Sequence, residues 1–537
     1  MRKPCPFFSV NKIALSIFTA LVAIPCASAT GLGNVVFIGD SITQGAGGTG
    51  NNALSYRYSL WKNFVDNNVE YKPVGSMTIY FNGADTSPDA KTYLGKTFNN
   101  TSEGHYGWDV AELQNGRTGT GTTGQGTGGL SKWLENYNPN TATMLMGIND
   151  LSRGSGGNPK YTLDQIVENT KTAVQTLQNK NENITVHVYS VLPTNQGTWA
   201  NGRNCRTDVA KYNQQLKTAS ETWSTETSKV VYHDITAGFD PTVHCTSDKV
   251  HPNAKGELII AGNMARALGI GQRTAGLDRR AHKNLAQQTT FSTAGENVAI
   301  SVKSSSGKSY TFSNNNTNTA NGWRVDEETG HISLATGSNK SAGSWLKTDW
   351  QETGSTAKHE FTVSVTVKMN AISETEHSAD NFLGIWLGNG EGVGTLYVGE
   401  SGIYWGGTNN ADLLYGQTND NYKDKFMTLD ANTIHVAWID GEDGKAASGF
   451  YVWLNDQLIG EALTSLTAEA VNYKNNLLIG DIGAAYQTSA EIFDISFDAA
   501  KAWAPSSAIP EPSAFGVLAG LGALALVGTR RRRRADK

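Results

Sequence analysis

Three short blocks hold the residues that could do chemistry. Ser41 lies in Gly39-Asp40-Ser41-Ile42-Thr43, directly after the apolar run Val35-Val36-Phe37-Ile38; Gly147-Ile148-Asn149-Asp150 follows, and then Asp248-Lys249-Val250-His251-Pro252. A serine hydroxyl is a weak nucleophile at neutral pH, so it needs a base within hydrogen-bond reach and donors waiting for the oxyanion that attack on a carbonyl creates. His251 is the candidate base. Asp248, three residues earlier, could accept the other ring N–H and fix the imidazole tautomer. Each block alone has an ordinary reading, as a turn, a helix cap or a solvated loop. Their joint occurrence, each beside a strand or a helix end, points to acyl transfer.

Such residues need elements that hold them. Tyr56, Leu60, Trp61, Phe64 and Val65 follow helical spacing, as do Ile166, Ala173, Val174 and Leu177, whereas 143–146, 184–192 and 230–235 read as buried strands and 254–268 as a final helix. Alternating strands and helices imply right-handed βαβ units and a parallel sheet covered on both faces, with ligands at the strands' C-terminal edge. Residues 115–130, rich in Gly and Thr, read as a surface loop near the site.

This unit spans 30–270 and is followed by a polar, basic-leaning linker over 271–289. Beyond it, over 290–504, the pattern shifts to alternation, as in Phe361-Thr362-Val363-Ser364-Val365-Thr366-Val367, with Gly, Asn and Asp turns between short strands. That argues for an antiparallel β-sandwich. Tyr404, Trp405 and Trp386 could form an aromatic platform on it, while Trp438 and Trp453 alternate in phase with core positions.

The termini predict location. Arg2, Lys3 and Lys12, the apolar run 13–24 and Ala27-Ser28-Ala29 compose a secretory signal peptide over 1–29. At the other end, Pro510-Glu511-Pro512 precedes the uncharged stretch 513–529 and the arginines 530–534. That stretch is about 25 Å long as a helix, barely enough to span a membrane core, with the arginines held on the cytoplasmic side. The chain has a formal charge of −5, to which 1–29 contribute +3 and 510–537 contribute +4, leaving −12 on the remainder. A nucleic-acid partner is thereby disfavoured. Cys5 and Cys26 belong to the signal segment; Cys205 and Cys245, an even pair in an exported chain, are expected to form one disulfide. No Cys or His spacing resembles a zinc site, and the chemistry needs no metal or organic cofactor.

On the Gly-Asp-Ser and Asp-x-x-His blocks, the chain resembles the SGNH (GDSL-type) hydrolase superfamily. Glu103-Gly104-His105-Tyr106-Gly107-Trp108 is similar to the Glu-Gly-His-Ser-Gly-Trp segment of its carbohydrate acetylesterases, and Tyr56-Arg57 to the Tyr-Arg that opens a helix in them. The resemblance, over about residues 31–270, implies a flavodoxin-like three-layer α/β/α fold. It also implies a Ser41, Asp248 and His251 triad, and an oxyanion hole formed by the Ser41 and Gly107 N–H groups and the Asn149 amide. Tyr106 departs from that pattern and bears on substrate choice; with Asp40 and Trp405 it is a candidate substrate contact.

The second half resembles, less specifically, the laminin G and concanavalin A-like jelly roll, through His435-Val436-Ala437-Trp438, Trp453-Leu454-Asn455-Asp456 and Leu478-Ile479-Gly480-Asp481. The tail 510–537 resembles a PEP-CTERM sorting signal, implying an exosortase-type processing partner, transient membrane association and the surface of a Gram-negative bacterium. The resulting expectation is an exported esterase acting on acetylated glycans or another small ester. A lipase, lysophospholipase or thioesterase, and a glycan-binding adhesin with a vestigial hydrolase domain, are the alternatives.

Overall fold

The computed structural model describes residues 31–505, apart from 47–53, 80–90, 118–126 and, from 276 onward, a series of segments between strands. The expected signal peptide and sorting signal, and most of the 115–130 loop and of the linker, lie outside the described residues. Among those described, no helix is long and apolar enough to cross a membrane.

The first unit is a parallel α/β domain. Its strands are β1 (Gly33–Gly39), β2 (Tyr71–Val74), β3 (Glu103–Gly104), β4 (Thr141–Leu145), β5 (Thr185–Tyr189) and β6 (Lys229–His233), with the order β6-β5-β4-β1-β2 and β3 paired to the end of β1. Helices α1 (Ser41–Gln44), α2 (Ser55–Asp66), α3 (Val110–Asn115), α4 (Leu130–Trp133), α5 (Ile148–Ser152), α6 (Leu163–Lys180), α7 (Thr207–Ser220), α8 (Pro241–His244) and α9 (Ala254–Ala267) complete it. This is the expected doubly wound topology. Val36, Ile38, Leu60, Val174, Val186 and Ile260 are buried in one core, each stabilising the fold by about 1.5–3 kcal/mol relative to exposure.

Caps set the helix starts. Thr162 and Gln165 form a capping box on α6, and the Asn253 side chain accepts from Lys255 N and Gly256 N at 3.1 Å to begin α9. The strand expected over 184–192 stops at Tyr189. Beyond it, Val191 exchanges its backbone bonds with the Asn213 side chain, N–H to Oδ1 and Nδ2 to O at 2.8 Å each, so an apolar run leaves the sheet.

The second unit is an antiparallel β-sandwich. Its nine-stranded sheet runs through Gln287–Ala294, Asn297–Lys303, Ser309–Asn314, Ser344–Asp349, Asn476–Asp481, Phe382–Gly388, Val393–Gly399, β7 (Gly402–Trp405) and β8 (Asp412–Gly416). The seven-stranded sheet runs through Trp323–Val325, Ile332–Ala335, Ser489–Asp498, Phe361–Met369, Asn432–Ile439, Gly449–Leu454 and β9 (Gln457–Leu463). Alternate residues such as Val363, Val365, Ile385, Leu396, Val436 and Ile495 fill the space between the sheets.

The two units are welded rather than merely linked. Leu258 of α9 joins Ala437, Ile439, Tyr451, Trp453 and Leu458 of the sandwich, with Ala275, in a separate apolar cluster. Arg273, at the start of the expected linker, is buried; its Nη1 and Nη2 donate to Glu461 at 2.6 and 2.8 Å, and Lys62 Nζ lies 3.1 Å from the same carboxylate. Trp453 Nε1 donates to Arg273 O at 2.8 Å. Burial pushes Glu461 up, but Arg273 and Lys62 overcome it and hold the carboxyl well below its ordinary range.

Candidate active site

Strand register brings the separated blocks together. Gly39 lies opposite Leu145 on one side and Gly104 on the other, so the chain leaves the sheet at one place toward Ser41, Asn149 and Gly107. That place is the C-terminal edge at β1, where the order of strands reverses and α/β sheets bind ligands. Gly39 must lack a side chain, because a Cβ there would sit 1.9 Å from Thr43 Oγ1. Asp40 caps α1 by accepting from Ile42 N at 2.9 Å. Ser41 then occupies the first helical position, where its own N–H is not used by the helix.

The three groups expected to act together are hydrogen-bonded in one line. His251 Nε2 is 2.8 Å from Ser41 Oγ, and His251 Nδ1 is 2.5 Å from Asp248 Oδ2. Asp248 Oδ1 accepts from Val250 N at 2.8 Å and His251 N at 2.9 Å, which folds the loop so that the carboxylate faces the ring. Partial burial pushes Asp248 up, but the His251 ring and these two N–H groups hold its carboxyl at about 2. It is thus ionised at any working pH and can stabilise an imidazolium.

Ser41, His251, Tyr106, Gly107 and Asn149 line one cavity of about 310 Å³ with Ile148, Ser152, Gln196, Trp199 and Val250. Gly107 has φ +73°, a left-handed conformation that an L side chain rarely adopts. Asn149 Nδ2 donates to Trp108 O at 2.9 Å, which fixes the amide and leaves its second N–H for the cavity. The oxyanion donors expected from the sequence therefore share the cleft with the nucleophile.

A buried pillar supports the Gly107 segment. The Glu103 carboxylate accepts from Ser76 N, Ser76 Oγ and Tyr137 OH at 2.6 Å each, and pairs with His105 Nε2 at 2.8 Å. The His105 ring stacks on Trp108 and on Trp133, at 4.7 and 4.3 Å between centroids, and the two indoles are 5.7 Å from each other. Arg153 Nη2 donates to Gly107 O at 2.5 Å and to Glu112 at 2.7 Å, while Gln44 Oε1 accepts from Tyr106 N at 3.0 Å. Glu103 and His105 stood in the recognised block, but their partners Ser76 and Tyr137 carried no sequence signal. Arg153, Gln196 and Trp199 were not foreseen either; Arg153 directly follows α5, the only hint of its place.

Four residues singled out in the sequence take other places in the structure than expected. Asp40 is buried, turned to the α1 backbone and absent from the cavity lining; burial pushes its carboxyl up to about 6 against the Ile42 N–H and His251. Trp405 belongs to the sandwich core and donates from Nε1 to Thr464 O at 3.1 Å, so it forms no platform; Tyr404 and Trp386 are half-buried. Cys205 and Cys245 are separate thiols. The Cys205 Sγ donates to Thr194 O at 2.9 Å and accepts from Gly197 N at 3.1 Å, whereas Cys245 Sγ is directed at Val250 O, 3.7 Å away.

A parallel α/β domain with Ser41, His251 and Asp248 in one hydrogen-bonded line at its topological switch point has the layout a serine hydrolase requires. Residues 35–264 match the family described as GDSL-like Lipase/Acylhydrolase. The chain is 27% identical over 254 residues to a multidomain esterase of Ruminococcus flavefaciens, a match spanning 46% of this chain and 30% of that protein. Among solved structures, a carbohydrate esterase family 3 protein from Talaromyces cellulolyticus is 24% identical over 44% of this chain and 95% of its own, with a TM-score of 0.33. A Clostridium thermocellum family 3 carbohydrate esterase is 19% identical over 43% of this chain and 93% of its own, with a TM-score of 0.32.

Proposed function

We propose that the first domain hydrolyses O-acyl esters on carbohydrates, acetyl above all, outside the cell. The observation that carries this reading is the continuous relay from Asp248 through His251 to Ser41 inside a small cavity of mixed polarity. Ser41 Oγ attacks the ester carbonyl as His251 Nε2 takes its proton, and the oxyanion is received by the Ser41 and Gly107 N–H groups and the Asn149 amide. His251 then returns the proton to the departing sugar hydroxyl; water, activated by the same ring, releases the acyl group from Ser41.

The small lining supports acetyl over a long acyl chain. Tyr106 and Trp199 place aromatic side chains, and Gln196 and Ser152 polar ones, in the lining where a sugar alcohol would sit. The name of the Ruminococcus relative, a multidomain esterase, agrees with this reading. The terminal segments support export, with processing of the C-terminal tail by an exosortase-type enzyme.

Initial rates on nitrophenyl acetate and decanoate, together with acetate release from a panel of acetylated glycans, test the reading. Acetyl esters are expected to be preferred, and Ser41→Ala to remove the activity. Preference for decanoate would replace the substrate class with a lipid ester; full activity in Ser41→Ala would remove the mechanism.

A further inference from the structure

The sandwich grips the catalytic loop from both sides. Ahead of the loop, Tyr415 of β8 packs so closely on Gly238 (φ +72°) that a Cβ there would lie 2.1 Å from its Cε2, and Gly416 N donates to Gly238 O at 3.3 Å. Behind it, Asp412 pairs with Lys255 Nζ at 3.1 Å. Further along α9, Gln457 of β9 occupies the space a side chain on Gly262 would need, with Nε2 2.6 Å from that Cβ position.

Between these anchors the loop is short and internally bonded. Asp240 N donates to His244 Nδ1 at 2.9 Å, Asn253 N to His244 O at 2.9 Å, and Asn253 Nδ2 to Val243 O at 2.7 Å. Thr246 N donates to His251 O at 2.8 Å. These bonds tie the Gly238–His244 segment to Asn253, and Thr246 to the backbone of His251.

We propose that the β-sandwich is a positioning element of the catalytic site, with Tyr415 the residue through which the β7–β8 hairpin sets the loop that carries Asp248 and His251. This rests on the serine-hydrolase reading of that loop. Tyr415 touches none of the reacting groups, and its effect runs through the alignment of His251 with Ser41, where a displacement of about 1 Å costs on the order of 10²-fold in rate. The sandwich is then part of the enzyme rather than a detachable targeting module.

The test compares full-length Tyr415→Ala, Tyr415→Phe and Lys62→Ala by steady-state kinetics on nitrophenyl acetate and by amide hydrogen exchange over residues 244–253. Tyr415→Ala is expected to lower kcat about tenfold with KM within about twofold. Exchange in the loop should rise about tenfold, and Tyr415→Phe should restore both. Lys62→Ala, which loosens the interface at the far carboxylate, should lower Tm and leave kcat and loop exchange unchanged.

If Tyr415→Ala behaves like Lys62→Ala, the contact is merely structural and the proposal is overturned. Where Tyr415→Ala does not fold, Tyr415→Leu is read by the same criteria. Exchange reports on the loop whatever the substrate: a wild type without esterase activity would overturn the function, and unchanged exchange in the variant would overturn the positioning role.

Discussion

The catalytic cleft and the weld between the domains both use buried or half-buried charge, but in opposite ways. In the cleft, Asp248 is half exposed and its charge is satisfied by one ring and two N–H groups, while the other nitrogen of that ring faces Ser41 Oγ. In the weld, Arg273 and Glu461 are locked together with Lys62 where no proton needs to move. The first arrangement is built for a change of charge state, and the second resists one. The same residue types thus serve chemistry or attachment according to what surrounds them.

Removing one group from each region separates the two roles. His251→Ala should have the largest effect, a loss on the order of 10⁴-fold or more in kcat with the melting temperature little changed, read from kinetics and calorimetry on one preparation. Arg273→Ala should do the reverse. It strands Glu461 without its main partner and is expected to destabilise the protein by about 3–5 kcal/mol, seen as a lower midpoint in urea. Asn149→Ala returns to the cleft, where loss of one oxyanion donor should lower kcat by about 10²–10³.

A buried carboxyl outside both regions offers a further test. Burial pushes Glu257 of α9 up to about 8, with Arg57 acting the other way. A carboxyl raised in the fold is protonated there while the unfolded chain has already lost its proton. Stability therefore falls as pH rises from the ordinary value near 4.5 to about 8. Glu257→Gln should match wild type at pH 4 and have the higher Tm at pH 8; equal curves throughout would show that Glu257 is not held neutral.

Much of the cleft was legible because each catalytic group sits in a short contiguous block whose local geometry is self-contained. Asp248 and His251 are bonded within their own loop, and Ser41 follows from a buried strand and a cap. The parallel order was legible for a similar reason, since strand and helix periods alternate. What escaped are long-range partners. Ser76 and Tyr137 reach Glu103, and Glu461 reaches Arg273, across separations that no local pattern encodes. Trp405 misled because an aromatic on an alternating strand fits either face, and Cys205 and Cys245 because an even count says nothing about where two sulfurs point.

A Ser41 hydroxyl activated by His251 is open to covalent capture. Incubation with a fluorophosphonate followed by peptide mass spectrometry should place one phosphonyl group on Ser41, with labelling of His251→Ala slowed on the order of 10³-fold or more. A label on another residue, or equal labelling rates in the two proteins, would rule out Ser41 as a nucleophile activated by His251.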